Sequence, residues 1–326
     1  MLKPKLLATR PLFPEVREVL DAHFDAEYWT APERIPRAEF LKRAADKDAL
    51  VCLLTEKVDE ELLAAAPRLR IAATVSVGFD NIDVAACTRR VVVATNTPGV
   101  LDDSTADLAW TLLLAVARRL VEGDAWIRSG TWPGWDLDQL LGGDVWGKTL
   151  GILGFGRIGQ EVARRAKGFR MRILYCNRNR VTEEIERELG AEFVDRDTLF
   201  RTSDFLSVHV PLNSETRHLI SRENLQNMKR TAYLINTSRG PVVDEAALAE
   251  ALRTGVIAGA ALDVFEHEPK VSPALLPLKN VILAPHIGSA TIETRTRMAM
   301  IAAKNVVALF EGHRPPNALN AEALGL

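Results

Sequence analysis

Short apolar, β-prone runs alternate with helical stretches along almost all 326 residues, and this alternation limits the possible folds more than any other feature. Strand, helix and strand in repeated succession is the pattern of α/β proteins built on parallel sheets. Early strands are expected at Lys5–Ala8, Ala49–Leu54, Ile71–Thr74 and Val91–Ala94, with helices over Pro14–His23, Arg37–Ala45 and Asp59–Ala65. Asp59 reads as an N-cap, with Glu60 and Glu61 in the electropositive first turn. After the turn cluster Asn96-Thr97-Pro98-Gly99, a helix is expected from Asp103 to Leu120. Apolar residues surround nearly all of it, which predicts burial between domains or subunits. A Trp- and Gly-rich segment leads to Gly147, and a second α/β run begins. Its strands are expected near Leu150–Leu153, Arg172–Cys176, Phe205–Val210, Tyr233–Asn236, Gly259–Asp263 and Val281–Ala284, with a last helix at about Thr291–Phe310.

Composition removes several classes of function. Lys+Arg minus Asp+Glu is 41 − 43 = −2, with no basic arm or stripe, so nucleic acid is not an expected partner. With 47% hydrophobic and 26% charged residues the chain can bury a large core, so disorder is not expected. Cys52, Cys87 and Cys176 are odd in number and widely spaced, which excludes a disulfide scaffold and a thiolate zinc site. The start lacks a signal-peptide pattern, and the apolar run Leu108–Ala117 is half the length a bilayer needs. A soluble cytoplasmic protein with no membrane partner and no metal is expected.

Gly154-Phe155-Gly156-Arg157-Ile158-Gly159 follows an apolar strand and opens the helical run Gln160–Lys167. Such glycines permit a tight turn, close approach of a pyrophosphate and close helix–strand packing. The helix's free N–H groups and positive dipole end then face the anion. The next strand should end near the adenosine ribose, where an Asp or Glu would bind both hydroxyls and repel a 2′-phosphate. Here the residues are Asn177-Arg178-Asn179-Arg180. Two guanidiniums without an acid suit a phosphate dianion, so NADP(H) is expected over NAD(H). The competing reading makes these arginines solvated loop charges.

Ligands of doubly wound sheets collect beyond the carboxyl ends of the strands. Arg239, Glu268 and His286 all fall there. An Arg can clamp a substrate carboxylate bidentately, and a His can exchange the proton that accompanies hydride transfer. An acid bonded to the imidazole favours its charged form and fixes its tautomer. The plainer alternative is a surface Arg, an acidic loop and a capping His. His267 competes with His286 for the proton role but lacks the strand-end placement. His209, Asp263 and Thr216, at other strand ends, are expected to shape the cofactor cleft. Trp132 and Trp135 serve either an interface or ordinary packing.

The sequence resembles the D-2-hydroxyacid dehydrogenases, in particular their glyoxylate/hydroxypyruvate reductase branch. The resemblance covers nearly the whole chain. It rests on Ser76–Asp83, Gly147–Gly151 leading into Gly154–Gly159, Val208-His209-Val210-Pro211-Leu212, Asn236–Gly240 and Pro285-His286-Ile287-Gly288. It implies a catalytic triad of Arg239, Glu268 and His286, and a substrate carboxylate met by the backbone of Val77 and Gly78 as well as by Arg239 and His286. It places Phe155–Ile158, Arg178, Arg180, Thr237 and Asp263 against the cofactor, and Val210, Pro211, Thr216, Ser238 and Gly288 are assigned to the same cleft. The implied fold is two doubly wound parallel-sheet domains, with a Rossmann cofactor domain (100–286) inserted into a flavodoxin-like substrate domain (1–99 and 287–326). The implied activity is reduction of a small 2-keto acid to the 2-hydroxy acid. A nucleotide-sensing corepressor on the same fold, or a dehydrogenase for another D-2-hydroxy acid, is the alternative. Separately, the apolar helix Asp103–Leu120 with Trp132 and Trp135 after it predicts a two-fold homodimer.

Overall fold

The computed structural model describes residues 3–326. The chain divides into two compact units: one runs to Leu101 and resumes over Ala290–Leu326, the other is Asp102–Ser289.

In the first unit, β1 (Lys5–Ala8), β2 (Asp25–Tyr28), β3 (Ala49–Cys52), β4 (Ile71–Thr74) and β5 (Val93–Thr95) form a parallel sheet in the order β2-β1-β3-β4-β5. Because side chains alternate along a strand, β3 feeds two cores at once. Leu50 and Cys52 pack with Phe40 and Leu62, while Ala49 and Val51 pack with Ala299, Ala302 and Val306. The latter three lie on the Ile292–Phe310 helix, so the end of the chain completes the first unit's core. Asp59 caps its helix by accepting the Leu62 N–H at 3.1 Å.

The second unit carries β6 (Thr149–Leu153), β7 (Arg172–Cys176), β8 (Ala191–Phe193), β9 (Phe205–Val208), β10 (Tyr233–Asn236), β11 (Gly259–Leu262) and β12 (Val281–Leu283). All are parallel, in the order β12-β11-β10-β9-β6-β7-β8. The winding direction reverses between β6 and β9, and doubly wound sheets open a ligand crevice at such a point.

The helix expected from Asp103 to Leu120 runs instead over Asp102–Ala117, and Arg119, at φ 51°, turns the chain into a second helix, Leu120–Arg128. Its apolar circumference is used inside its own unit, against the Arg157–Ala166 helix and the sheet. There Trp110 donates Nε1–H to the Val162 carbonyl at 2.9 Å and stacks on Phe169. The expected burial between domains or subunits is therefore not needed to explain it. Exposed apolar surface lies further on, with Trp135 81%, Leu137 78%, Leu141 66% and Trp146 65% accessible.

Candidate active site

The turn after β6 shows why glycines stand there. Gly154 has φ 96°, and a Cβ on it would lie 2.6 Å from the His209 carbonyl carbon. A Cβ on Gly159 would come within 2.3 Å of the Gly154 carbonyl oxygen, so the ten-residue Arg157–Ala166 helix meets the turn this closely only with glycine. At Gly156 a Cβ would meet nothing within 4 Å. The first and third glycines are thus demanded by packing, while the second faces open space at a helix N-terminus, the arrangement a pyrophosphate requires. Phe155 is buried and stacked on Tyr175 at 4.2 Å, and its N–H donates to Asn177 Oδ1 at 2.8 Å. Arg157 is exposed and Ile158 packs partly into the core.

Beyond β6, β7 and β9 lies a cavity of about 590 Å³. Asn177, Arg178 and Asn179 line it from one side, Val210, Pro211 and Thr216 from another. Thr216 Oγ1 donates to the Pro211 carbonyl at 2.6 Å. Arg180, expected to reach the ribose, is held elsewhere. Its guanidinium forks onto Glu186 at 2.8 and 2.7 Å, and Tyr175 donates its hydroxyl to the same carboxylate at 2.6 Å. These bonds hold the Glu186 carboxyl down at about 2. Arg196 lines the cavity instead. No motif marks it, since it opens a helix eighteen positions after Arg178 (196 − 178).

At the tips of β10, β11 and β12, three further segments are fastened by buried polar groups. Fully buried Asn236 accepts from Ser238 N–H at 3.0 Å and Oγ–H at 2.8 Å, and donates Nδ2–H to the Arg239 carbonyl at 3.0 Å. Arg239 Nη1 donates to the Ser238 carbonyl at 2.9 Å. Thr237 Oγ1 is buried without a hydrogen-bond partner among the described residues, an atom that a ligand would satisfy. Gly240 brings the next loop close, because a Cβ there would overlap the Phe265 carbonyl.

In that loop Glu268 accepts the Phe265 N–H at 3.1 Å, and its carboxylate meets His286 Nδ1 at 2.9 and 3.2 Å. Burial works to raise the Glu268 carboxyl, but the His286 bond and charge, the Phe265 N–H and the nearby Arg239 outweigh it and hold it below the usual range. Buried Glu245 accepts the Glu266 N–H and so anchors the loop from below, a role nothing in the sequence pattern announces. Asp263, only 1% exposed, accepts Ile287 N–H at 2.7 Å on one oxygen and Gly288 N–H at 2.8 Å on the other. Burial pushes its carboxyl up against the pull of those two N–H groups and His286. Its carboxylate therefore fixes the loop that carries His286, which itself sits at φ 55°. His267 is exposed and outside this cluster. His209 bonds Ser207 Oγ at 2.7 Å, and burial pushes its imidazole down to about 3, so it stays neutral and serves structure.

In the first unit, the Val77–Gly78 segment is tied down by its carbonyls. Asn96 Nδ2 donates to the Val77 carbonyl at 2.8 Å and Ser76 Oγ to the Gly78 carbonyl at 2.7 Å. Among the described residues no group of three or more His, Cys, Asp or Glu side chains could hold a metal ion, and no helix is long and apolar enough to cross a membrane.

Comparison with known proteins agrees with this geometry. Residues 110–288 match the model of the D-isomer specific 2-hydroxyacid dehydrogenase NAD binding domain. The chain is 53% identical to a glyoxylate reductase of Thermococcus litoralis, over 99% of this chain and 98% of that one. A crystal structure of a Thermus thermophilus protein superposes with a TM-score of 0.91 at 42% identity, covering 97% of this chain and 99% of that one. An NADPH-dependent glyoxylate/hydroxypyruvate reductase of Sinorhizobium meliloti, solved with NADP and malonate, superposes with a TM-score of 0.86 at 34% identity, over 97% of each chain. The matched domain and these relatives make the protein a dehydrogenase that uses a nicotinamide dinucleotide. Within that class, the chain belongs to the D-isomer specific 2-hydroxyacid dehydrogenases.

Proposed function

We propose that the protein reduces small 2-keto acids, glyoxylate or hydroxypyruvate first among them, with NADPH in preference to NADH. The observation that carries this reading is the Glu268–His286 pair at 2.9 Å, set at the strand tips within the same unit as the glycine turn and Arg239. The glycine turn, the open space at Gly156 and the unpartnered Thr237 hydroxyl fit the dinucleotide, which when bound supplies the hydride.

The chain's own residues do the rest. With Nδ1–H donating to Glu268, His286 keeps Nε2 to hand a proton to the carbonyl oxygen as the alcohol forms. The Glu268 carboxylate favours the charged imidazole and holds its orientation. Arg239 offers a planar fork for the substrate carboxylate and polarises the carbonyl. In this reading Asp102–Ser289 is the cofactor domain and the other unit the substrate domain. The exposed Trp135, Leu137, Leu141 and Trp146 suit a two-fold interface between copies of a cytoplasmic homodimer.

Steady-state turnover with a panel of 2-keto acids and both coenzymes tests the reading. The expected result is turnover of glyoxylate and hydroxypyruvate with a higher kcat/KM for NADPH. Tight dinucleotide binding without turnover of any keto acid would favour a nucleotide-sensing corepressor.

A further inference from the structure

The cavity beyond β6, β7 and β9 is lined by two arginines, Arg178 and Arg196, and neither makes an ion pair among the described residues. Arg180 is committed to Glu186 and does not line it. We infer that Arg196 and Arg178, rather than Arg178 and Arg180, grip the 2′-phosphate of NADPH, so that Arg196 is a specificity-determining residue for the coenzyme. The inference rests on the NADPH reading above.

Charge balance supports it. The lining holds two guanidiniums and one carboxylate, Glu215, which leaves net positive charge for a group carrying about −1.5 to −2. Asn177 and Asn179 also line the cavity and add no negative charge. The Asn177 amide oxygen is already used by the Phe155 N–H, so that residue braces the turn. The field of Arg196 reaches the end of β7. Burial pushes the Cys176 thiol up, Arg196 pulls it the other way, and the Asp195 carboxylate adds to the push. A guanidinium with no protein carboxylate to satisfy keeps its forked donors for an anion, and charge-assisted bonds are the stronger class.

The test uses adenosine 2′,5′-bisphosphate and 5′-AMP as probes, with affinities for the wild type and Arg196→Ala measured by calorimetry. Arg196 is exposed, so its removal leaves the core intact, and a matching Tm checks this. Wild-type protein is expected to bind the bisphosphate more tightly. Arg196→Ala should weaken that binding about tenfold or more and change 5′-AMP binding less than twofold, with Arg196→Lys in between. Kinetics should show KM for NADPH rising while KM for NADH holds. If the wild type discriminates and Arg196→Ala discriminates equally, the assignment of Arg196 is overturned and the NADPH reading survives. If the wild type binds both probes equally, the phosphate site itself is refuted and both ideas fall.

Discussion

Replacing Glu268 with Gln keeps the shape of the side chain and removes its charge. In the native site the carboxylate meets His286 Nδ1 at 2.9 and 3.2 Å, with side chains 25% and 29% accessible, so water screens the pair only in part. A hydrogen bond to a charged group contributes about 1.5–3 kcal/mol, against about 0.5–1.5 for a neutral one. The difference, about 1–2 kcal/mol, corresponds to roughly five- to thirtyfold in rate at 1.36 kcal/mol per tenfold. The sign follows from the reaction. Reduction needs a proton on the histidine, and Glu268 favours the protonated form. Without the charge the imidazole loses its charge-assisted partner, so kcat/KM for reduction should fall by roughly five- to thirtyfold. The assay is initial-rate NADPH oxidation with glyoxylate across a pH series at constant ionic strength. A Glu268→Gln enzyme with native rates would refute the role given to this pair.

Three further outcomes are expected. His286→Ala should cost about 10²–10⁴-fold in turnover while dinucleotide affinity stays near native, and native turnover at saturating keto acid would exclude His286 as the proton donor. Arg239→Lys keeps the charge and loses the planar fork, so KM for glyoxylate should rise as kcat falls, and an unchanged kcat/KM would contradict the assignment. Light scattering at micromolar concentration should give twice the 36.0 kDa chain mass, and a Trp135→Glu, Leu141→Glu variant should shift the species toward the monomer; a wild-type monomer would remove the dimer.

The sequence made most of this architecture legible, and where it failed the causes are local. Central strands are covered on both faces, so β1, β4, β7 and β10 stand out as apolar runs and match their expected limits residue for residue. The sheet-edge strands β2 (Asp25–Tyr28) and β8 (Ala191–Phe193) carry exposed acids and only one or two fully apolar side chains, and no periodicity marks them. The break after Ala117 depends on Arg119 taking a left-handed conformation that its chemistry does not advertise. At the cavity beyond β6, β7 and β9, Arg178 and Arg180 look alike in the chain. Only the folded helix Glu183–Leu189 shows that Glu186 claims one of them. Arg196 reaches the cavity by way of a strand and a turn, a distance that short motifs do not span.

The left-handed backbone of His286 has a consequence for the protein's history under selection. An L side chain in that conformation costs roughly 1 kcal/mol that glycine would not incur. The Asp263 carboxylate, gripping the next two N–H groups, holds the loop in this shape regardless. Glycine at 286 would recover that cost but would leave the Glu268 carboxylate without a bond of about 1.5–3 kcal/mol, so strain and pairing oppose each other at one position. A population selected for heat resistance alone should therefore keep a partner for Glu268 at position 286 rather than drift toward glycine.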